Sequence, residues 1–310
     1  MFDVVTYDRN YLEGMIRVFN SETVAEQHIA EMTPDLFIKL VEPKAAFDPT
    51  GVFIAVENGR VLGWVHACSA AATEPWQDQE TNVPQIRMLM YPRERLEVGQ
   101  QLVRQATEWL MQFNPNKLPA MHCQFGYPFY RGIWAGGEPM CPVTLPHLHL
   151  AFDVCGYKND FESIFMVKQL TTAPVFEPAK VKLDFVDTPL KFNHTSGKDS
   201  WTGFDPQVMK AYAGGEYVGR IGWAILPYLA TKLGAPAVNI WSLSTEDTHR
   251  RMGIGGALVS RVLEMGYQLG ARTASVDTQL WNTPAHSTYA KFGYLPYLIV
   301  VGRTLTVAEK

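Results

Sequence analysis

Apolar residues in the C-terminal half of the chain recur with two different periods. Leu258, Val262, Met265 and Leu269 fall at i, i+4, i+7 and i+11, the stripe of an amphipathic helix, and Gly270 ends it. Ala274, Val276, Thr278 and Leu280 then alternate with a period of two, as a strand does. Around them the pattern predicts strands near Val181–Val186 and Ala237–Leu243 and a hairpin of Met209–Ala213 with Val218–Ile225. A short helix to Lys291 and a last strand near Leu298–Thr306 follow. Early in the chain, helical patterns cover Tyr11–Asn20 and Thr33–Leu40. The matching region of the C-terminal half, Thr188–Pro206, is polar with little helical periodicity.

The chain also matches itself. Gly59 and Gly63 in GRVLGWVHA stand 156 residues before Gly215 and Gly219 in GEYVGRIGWAI, and the same offset carries Gly99 onto Gly255. Later, Cys155-Gly156-Tyr157 aligns with Phe292-Gly293-Tyr294 at an offset of 137, which implies an insertion in the first copy around Phe125–Thr144. A period this long indicates duplicated domains rather than a solenoid. The expected division is a first domain over residues 1–170 and a second over 181–310. Between them Thr171–Lys180 is the expected linker, because its two prolines and small residues interrupt both patterns.

At 310 residues the chain can bury two cores. Its 47% hydrophobic and 19% charged residues are those of a globular protein, and a net charge of -4 supplies no field to gather nucleic acid or acidic membranes. Cys68, Cys123, Cys141 and Cys155 lack C-x-x-C spacing, so a reduced, cytoplasmic setting is expected. The mixed, acidic opening MFDVVTYDRN does not look like a signal peptide. The most apolar stretch, Val218–Val238, carries Arg220, Lys232, Pro227 and Pro236 and is not read as a membrane span.

Candidate chemistry lies in two blocks of the second copy. RRMGIGGAL, Arg250–Leu258, stands between a strand and a helix; its glycines let successive N–H groups turn toward one point at a helix N-terminus, where an anion is held. NTPAHSTYAKFGY begins at Asn282, 29 residues after Gly253. The pair resembles the two signatures of the GNAT N-acetyltransferase superfamily. Arg250, Gly253 and Gly255 match Arg/Gln-x-x-Gly-x-Gly/Ala. Asn282, Ala285, Tyr289 and Gly293 match Asn-x-x-Ala-x-x-x-Tyr-x-x-x-Gly-Phe, with Tyr294 standing for the phenylalanine.

The resemblance implies an α/β (α+β) protein of two tandem GNAT-like domains, each a mixed, mainly antiparallel sheet flanked by helices. It implies transfer of acetyl from acetyl-CoA to an amine, by direct attack in a ternary complex. In such a site Tyr289 protonates the leaving thiolate, and Asn282 belongs to the coenzyme-binding set. Leu243, Ser244 and Thr245 offer backbone to pantetheine and to the oxyanion. Arg250, Arg251, Met252, Gly253, Ile254, Gly255 and Gly256 hold the pyrophosphate, with Lys291 a further phosphate candidate. Glu246 is the expected general base, with Asp247 and Asp277 as alternatives.

In the first copy Glu94 and Glu97 replace Arg250 and Gly253, and Phe152 and Leu145 replace Tyr289 and Asn282. A carboxylate repels the phosphate and a side chain at the glycine position blocks its approach. The first copy is therefore read as a structural partner, which by itself or through its insertion roofs the acceptor site. Within the insertion, Phe125, Tyr127, Phe129, Tyr130 and Trp134 suit either a packed loop or an aromatic acceptor or interdomain wall. His147-x-His149, with His122 and Cys123, lacks a second ligand pair at zinc spacing, so no metal is expected. A non-catalytic acyl-CoA sensor and an aminoacyl-tRNA-dependent peptidyl ligase are the competing classes. The intact Tyr289 and Asn282 weigh against the sensor, and the intact loop and net charge of -4 against the ligase. The expected acceptor is a small-molecule or peptide amine. The sequence leaves its identity open, as it does the oligomeric state.

Overall fold

A computed structural model describes residues 1–44, 46–71, 82–122, 129–136, 139–189 and 205–307. In the first copy, β1 (Asp3–Thr6) leads through α1 (Leu12–Thr23) and α2 (Pro34–Leu40) to β2 (Val52–Glu57), β3 (Arg60–Ala71) and β4 (Asn82–Met90). Next come α3 (Leu96–Leu110), β5 (Lys117–Ala120), the short β6 (Cys141–Pro142), α4 (Pro146–Val154) and β7 (Lys158–Gln169). The second copy runs β8 (Asp184–Pro189), β9 (Gln207–Ala213), β10 (Glu216–Leu226), α5 (Ala230–Leu233) and β11 (Ala237–Thr245). It closes with α6 (Ile254–Gln268), β12 (Thr273–Gln279), α7 (Thr283–Lys291) and β13 (Leu295–Thr306). The first of these strands begins at Asp184 rather than Val181, because antiparallel pairing of Asp184 with Tyr212 sets its register on β9. Among the described residues no helix is long and apolar enough to cross a membrane.

The internal repeat is visible element by element. The β2–β3 and β9–β10 hairpins both turn through two residues of positive φ, Asn58-Gly59 and Gly214-Gly215, the geometry that suits a tight hairpin. Helices α4 and α7 have nine residues each and strands β7 and β13 twelve each, all at the 137-residue offset. Gly156 and Gly293 both take positive φ after their helices, where any other residue would be strained.

All the strands join one sheet, ordered β1-β2-β3-β4-β5-β13-β7-β12-β11-β10-β9-β8, with β6 beside β13. Among the described residues only β4 with β5 and β11 with β12 run parallel. The order reveals an exchange. The last strand of the second copy, β13, lies beside β5 of the first, and β7 lies beside β12 of the second. Leu298 and Val300 of β13 enter the first core, while Met166 and Leu170 from the β7 end enter the second. The boundary at 171–180 follows the chain but not the sheet. Each domain is completed by the other's final strand.

Part of the insertion is an interdomain plug. Phe129, Tyr130 and Trp134 are fully buried in the first core, whereas Phe125 and Tyr127 lie outside the described residues. The Ala135 carbonyl accepts hydrogen bonds from Asn239 Nδ2 (2.8 Å) and Ser275 Oγ (2.5 Å) on β11 and β12. Lys232 donates to the carbonyls of Thr23 and Glu26 from the opposite direction. Buried polar groups must be satisfied in this way or they oppose folding, so these bonds fix how the two copies meet.

Candidate active site

The parallel ladder between β11 and β12 ends at Ile240 and Val276. Beyond that point Trp241–Thr245 and Asp277–Gln279 no longer pair with each other, and a cleft of about 1180 Å³ opens between them. Ser242 takes a φ of 52° where β11 slips by one residue against β10. Such a bulge bends a strand and leaves part of its edge unpaired. The backbone of Leu243, Ser244 and Thr245 thus borders an open slot on the β12 side.

The RRMGIGGAL loop forms the second wall. Arg251 and Gly253 adopt φ of 62° and 85°, and no side chain caps α6. The first-turn N–H groups of Ile254, Gly255 and Gly256 are those an α-helix leaves without internal partners, and all three residues line the cleft. Positive φ makes glycine the fit residue at 253, and an added Cβ would also press on Ala179 Cα at 3.3 Å. At Gly255 and Gly256 an added Cβ would meet nothing nearer than 3.7 and 3.5 Å, so these glycines leave a cradle open. Arg250 and Arg251 stand at its rim, Arg250 paired with Asp247 at 2.6 Å. This donor set suits a diphosphate.

Helix α7 supplies the third wall. Asn282 Oδ1 accepts the Ala285 N–H at 3.3 Å, so this asparagine caps the helix while also facing the cleft. Tyr289 is nearly fully buried at the cleft wall, its ring packed edge-on against Tyr294 at 5.6 Å. Burial, reinforced by the Asp277 carboxylate, pushes the Tyr289 phenol well above its ordinary value. It therefore keeps its proton throughout the neutral range.

Two expected members stand apart. Glu246 is exposed and does not line the cleft; it follows β11 with its N–H given to the Val218 carbonyl at 3.0 Å, on the side away from β12. Met252 packs against the second core, and its carbonyl accepts the Lys180 N–H at 2.8 Å. The cleft-facing carboxylates are instead Asp277 and Glu177, and His249 and Lys291 also line it. Glu177, from the linker, and Phe161, from β7, are contributions the sequence did not signal. Phe161 reaches this cleft only because β7 crosses to the second sheet. The first domain thus contributes to this cleft through its exchanged strand.

The paired histidines of the first copy serve other ends. His147 lies 3.3 Å from Glu22, and His149 bonds the Pro142 carbonyl at 3.0 Å. Cys123 lies outside the described residues. Among the described residues no group of three or more His, Cys, Asp or Glu side chains is gathered as a metal site.

Residues 181–294 match the sequence profile of the acetyltransferase (GNAT) family. Among solved structures, the chain is similar to a GCN5-related N-acetyltransferase from Sphaerobacter thermophilus, with 13% identity and a TM-score of 0.62 over 98% of this chain and 95% of that one. It is similar over the full length of both chains to a tandem GNAT protein of the clavulanic acid biosynthesis pathway, at 15% identity and a TM-score of 0.64. A GCN5-related glucosamine N-acetyltransferase region of a fungal multi-domain GH3 beta-N-acetylglucosaminidase aligns at 14% identity and a TM-score of 0.69, over 98% of this chain and 38% of that one. At such identities the likeness is one of fold. No curated protein matches the sequence.

Proposed function

We propose, starting from the fact that the chain carries a GNAT-family domain at residues 181–294 within a tandem GNAT fold, that its second copy transfers acetyl from acetyl-CoA to an amine. The observation that carries this reading is the meeting of three features in one cleft. They are the glycine-lined helix N-terminus, the unpaired edge of Leu243–Thr245, and the protonated phenol of Tyr289.

Each feature has a task. The N–H groups of Ile254–Gly256, with Arg250 and Arg251, hold the pyrophosphate. The open β11 edge pairs with the pantetheine amide and offers N–H groups to the oxyanion that forms on the thioester carbonyl. The neutral amine attacks that carbon; an N–C bond forms, the C–S bond breaks, and Tyr289 gives its proton to the departing thiolate. Asp277, the alternative base that lines the cleft, takes the proton lost by the amine. The products are an N-acetylated amine and free coenzyme A.

Thiol release from acetyl-CoA, followed across a broad panel of amines with Tyr289→Phe as control, tests the reading. Release that depends on one class of amine and collapses in the variant is expected. Tight acetyl-CoA binding with no release for any amine would replace the enzyme by an acyl-CoA sensor.

A further inference from the structure

Beside the cleft, and sharing Phe161 with it, lies a second cavity of about 460 Å³. Asn159, Asp160, Phe161 and Glu162 of β7 form one wall, and Leu280 and Trp281, which follow β12, form the other. The two cavities are continuous in their walls: Phe161 lines both, and the Leu280 N–H donates to the Glu162 carbonyl at 3.1 Å. None of the six lining residues is basic and two are acidic. The cleft itself carries Arg250, Arg251 and Lys291 against Asp277 and Glu177. The balance of charge is thus positive in the cleft and negative in the second cavity, where the neighbouring guanidinium of Arg303 is engaged with Asn159 and Asp153.

Its side chains are also held ready. Asp160 Oδ2 accepts from Thr304 Oγ1 at 2.8 Å, which fixes that carboxylate on β7. His122 Nε2 approaches it at 3.9 Å but is buried, and burial lowers its pKa to about 4, so the ring stays uncharged at neutral pH. Trp281 is 76% exposed, a large apolar surface left in water at the mouth of the cavity, opposite the half-buried Phe161. An indole and a phenyl ring beside carboxylates bind the hydrocarbon and the charge of an organic cation together.

Building on the acetyl-transfer reading, we infer that this cavity seats the acceptor, and that the acceptor is a small amine bearing a second, cationic nitrogen. Asp160 and Glu162 hold the ammonium group, Phe161 and Trp281 flank the chain between the nitrogens, and the free amine faces Tyr289. The first copy thereby supplies the acceptor side of a site whose coenzyme side belongs to the second.

The test compares cadaverine with pentylamine, which has the same chain and one nitrogen, with glutamate, and with a short lysine peptide. Initial rates of thiol release are read with saturating acetyl-CoA, and cadaverine binding to the coenzyme A complex is measured by calorimetry. Cadaverine is expected to exceed pentylamine at least about tenfold in kcat/KM, and to lose that advantage as salt rises. Glu162→Gln and Asp160→Asn should each raise the cadaverine KM roughly fivefold with the acetyl-CoA KM unchanged. Glu162 is exposed, so its variant keeps the test valid even where loss of the Asp160–Thr304 bond unfolds the other. Equal use of pentylamine or glutamate, a preference for the lysine peptide, or an unaltered KM in Glu162→Gln overturns the inference. Cadaverine that binds the wild type, fails to bind Glu162→Gln, and is never acetylated would support this seat while removing the acetyl-transfer reading.

Discussion

Helices α3 and α6 are both fifteen residues long and follow equivalent strands. Val98, Leu102, Val103, Ala106 and Leu110 bury the same stripe as Ile254, Leu258, Val259, Val262 and Gly266, at the 156-residue offset. Yet α3 starts two residues earlier relative to that stripe. Glu97 lies inside its first turn, where the second copy has Gly253 at a φ of 85°. Beside Gly99 the ring of Tyr91 fills the space an added Cβ would take, at 2.2 Å; beside Gly255 the space is open. The gap between β4 and β5 differs in the same sense. The first copy also slips register in its fourth strand, at Arg87, which is fully buried and donates to the His122 carbonyl at 3.1 Å across to the β5 side. Among the described residues the first copy fills the space beside its helix start with Tyr91, where the second copy has its cleft. Glu97 and Phe152 stand where the second copy has Gly253 and Tyr289, and Arg87 and Tyr91 of the first copy are fully buried.

The sharpest break would come from exchanging the phenols. Tyr289→Phe should lower kcat on the order of 100-fold or more while acetyl-CoA affinity holds, since only the proton donor is lost. Phe152→Tyr in the first copy should leave turnover unchanged. Steady-state kinetics and calorimetry together check both.

Next is the loop. Gly253→Val forces a branched side chain into positive φ and onto Ala179, so the KM for acetyl-CoA should rise about tenfold. Glu97→Gly should create no second site, because Tyr91 and Arg87 still occupy the first copy's cleft.

Acid should separate the copies as well. In the first, burial lowers His28, His122 and His147 from 6.5 to about 4, and His66 to about 3. Between those values and 6.5 the unfolded chain binds more protons than the folded one, so stability present above pH 6.5 is lost as pH falls. Tm should drop by roughly 5 °C or more between pH 7 and pH 5. Hydrogen exchange should find protection lost first in β2–β4.

The smallest effect concerns the linker. Glu177 is exposed at the cleft edge, with Oε2 4.0 Å from the Cβ position of Gly256. Glu177→Gln should lower the acetyl-CoA KM only a few-fold, as a solvated like charge does.

Much of this contrast was legible in the sequence because it rests on residues whose identity alone decides the matter. A carboxylate at 97 opposes phosphate binding, and phenylalanine at 152 has no proton to give, whatever surrounds them. The hairpins, α6 and α7 announced themselves by periodicity and glycines. The strand exchange did not, since β7 and β13 carry equivalent patterns and either would satisfy either sheet edge; their partners are settled by three-dimensional closure. For the same reason Phe161 was invisible as a site residue. The sequence places Glu246 after β11 but does not show which neighbour the strand end follows; its N–H pairs with Val218 of β10.

The contrast between the copies reduces to how many molecules of coenzyme one chain holds. Isothermal titration of the full chain with acetyl-CoA tests it most directly. One equivalent bound per chain is expected, weakened in Gly253→Val and unaffected by Phe152→Tyr. Two equivalents per chain, or one that survives intact in Gly253→Val, would contradict it.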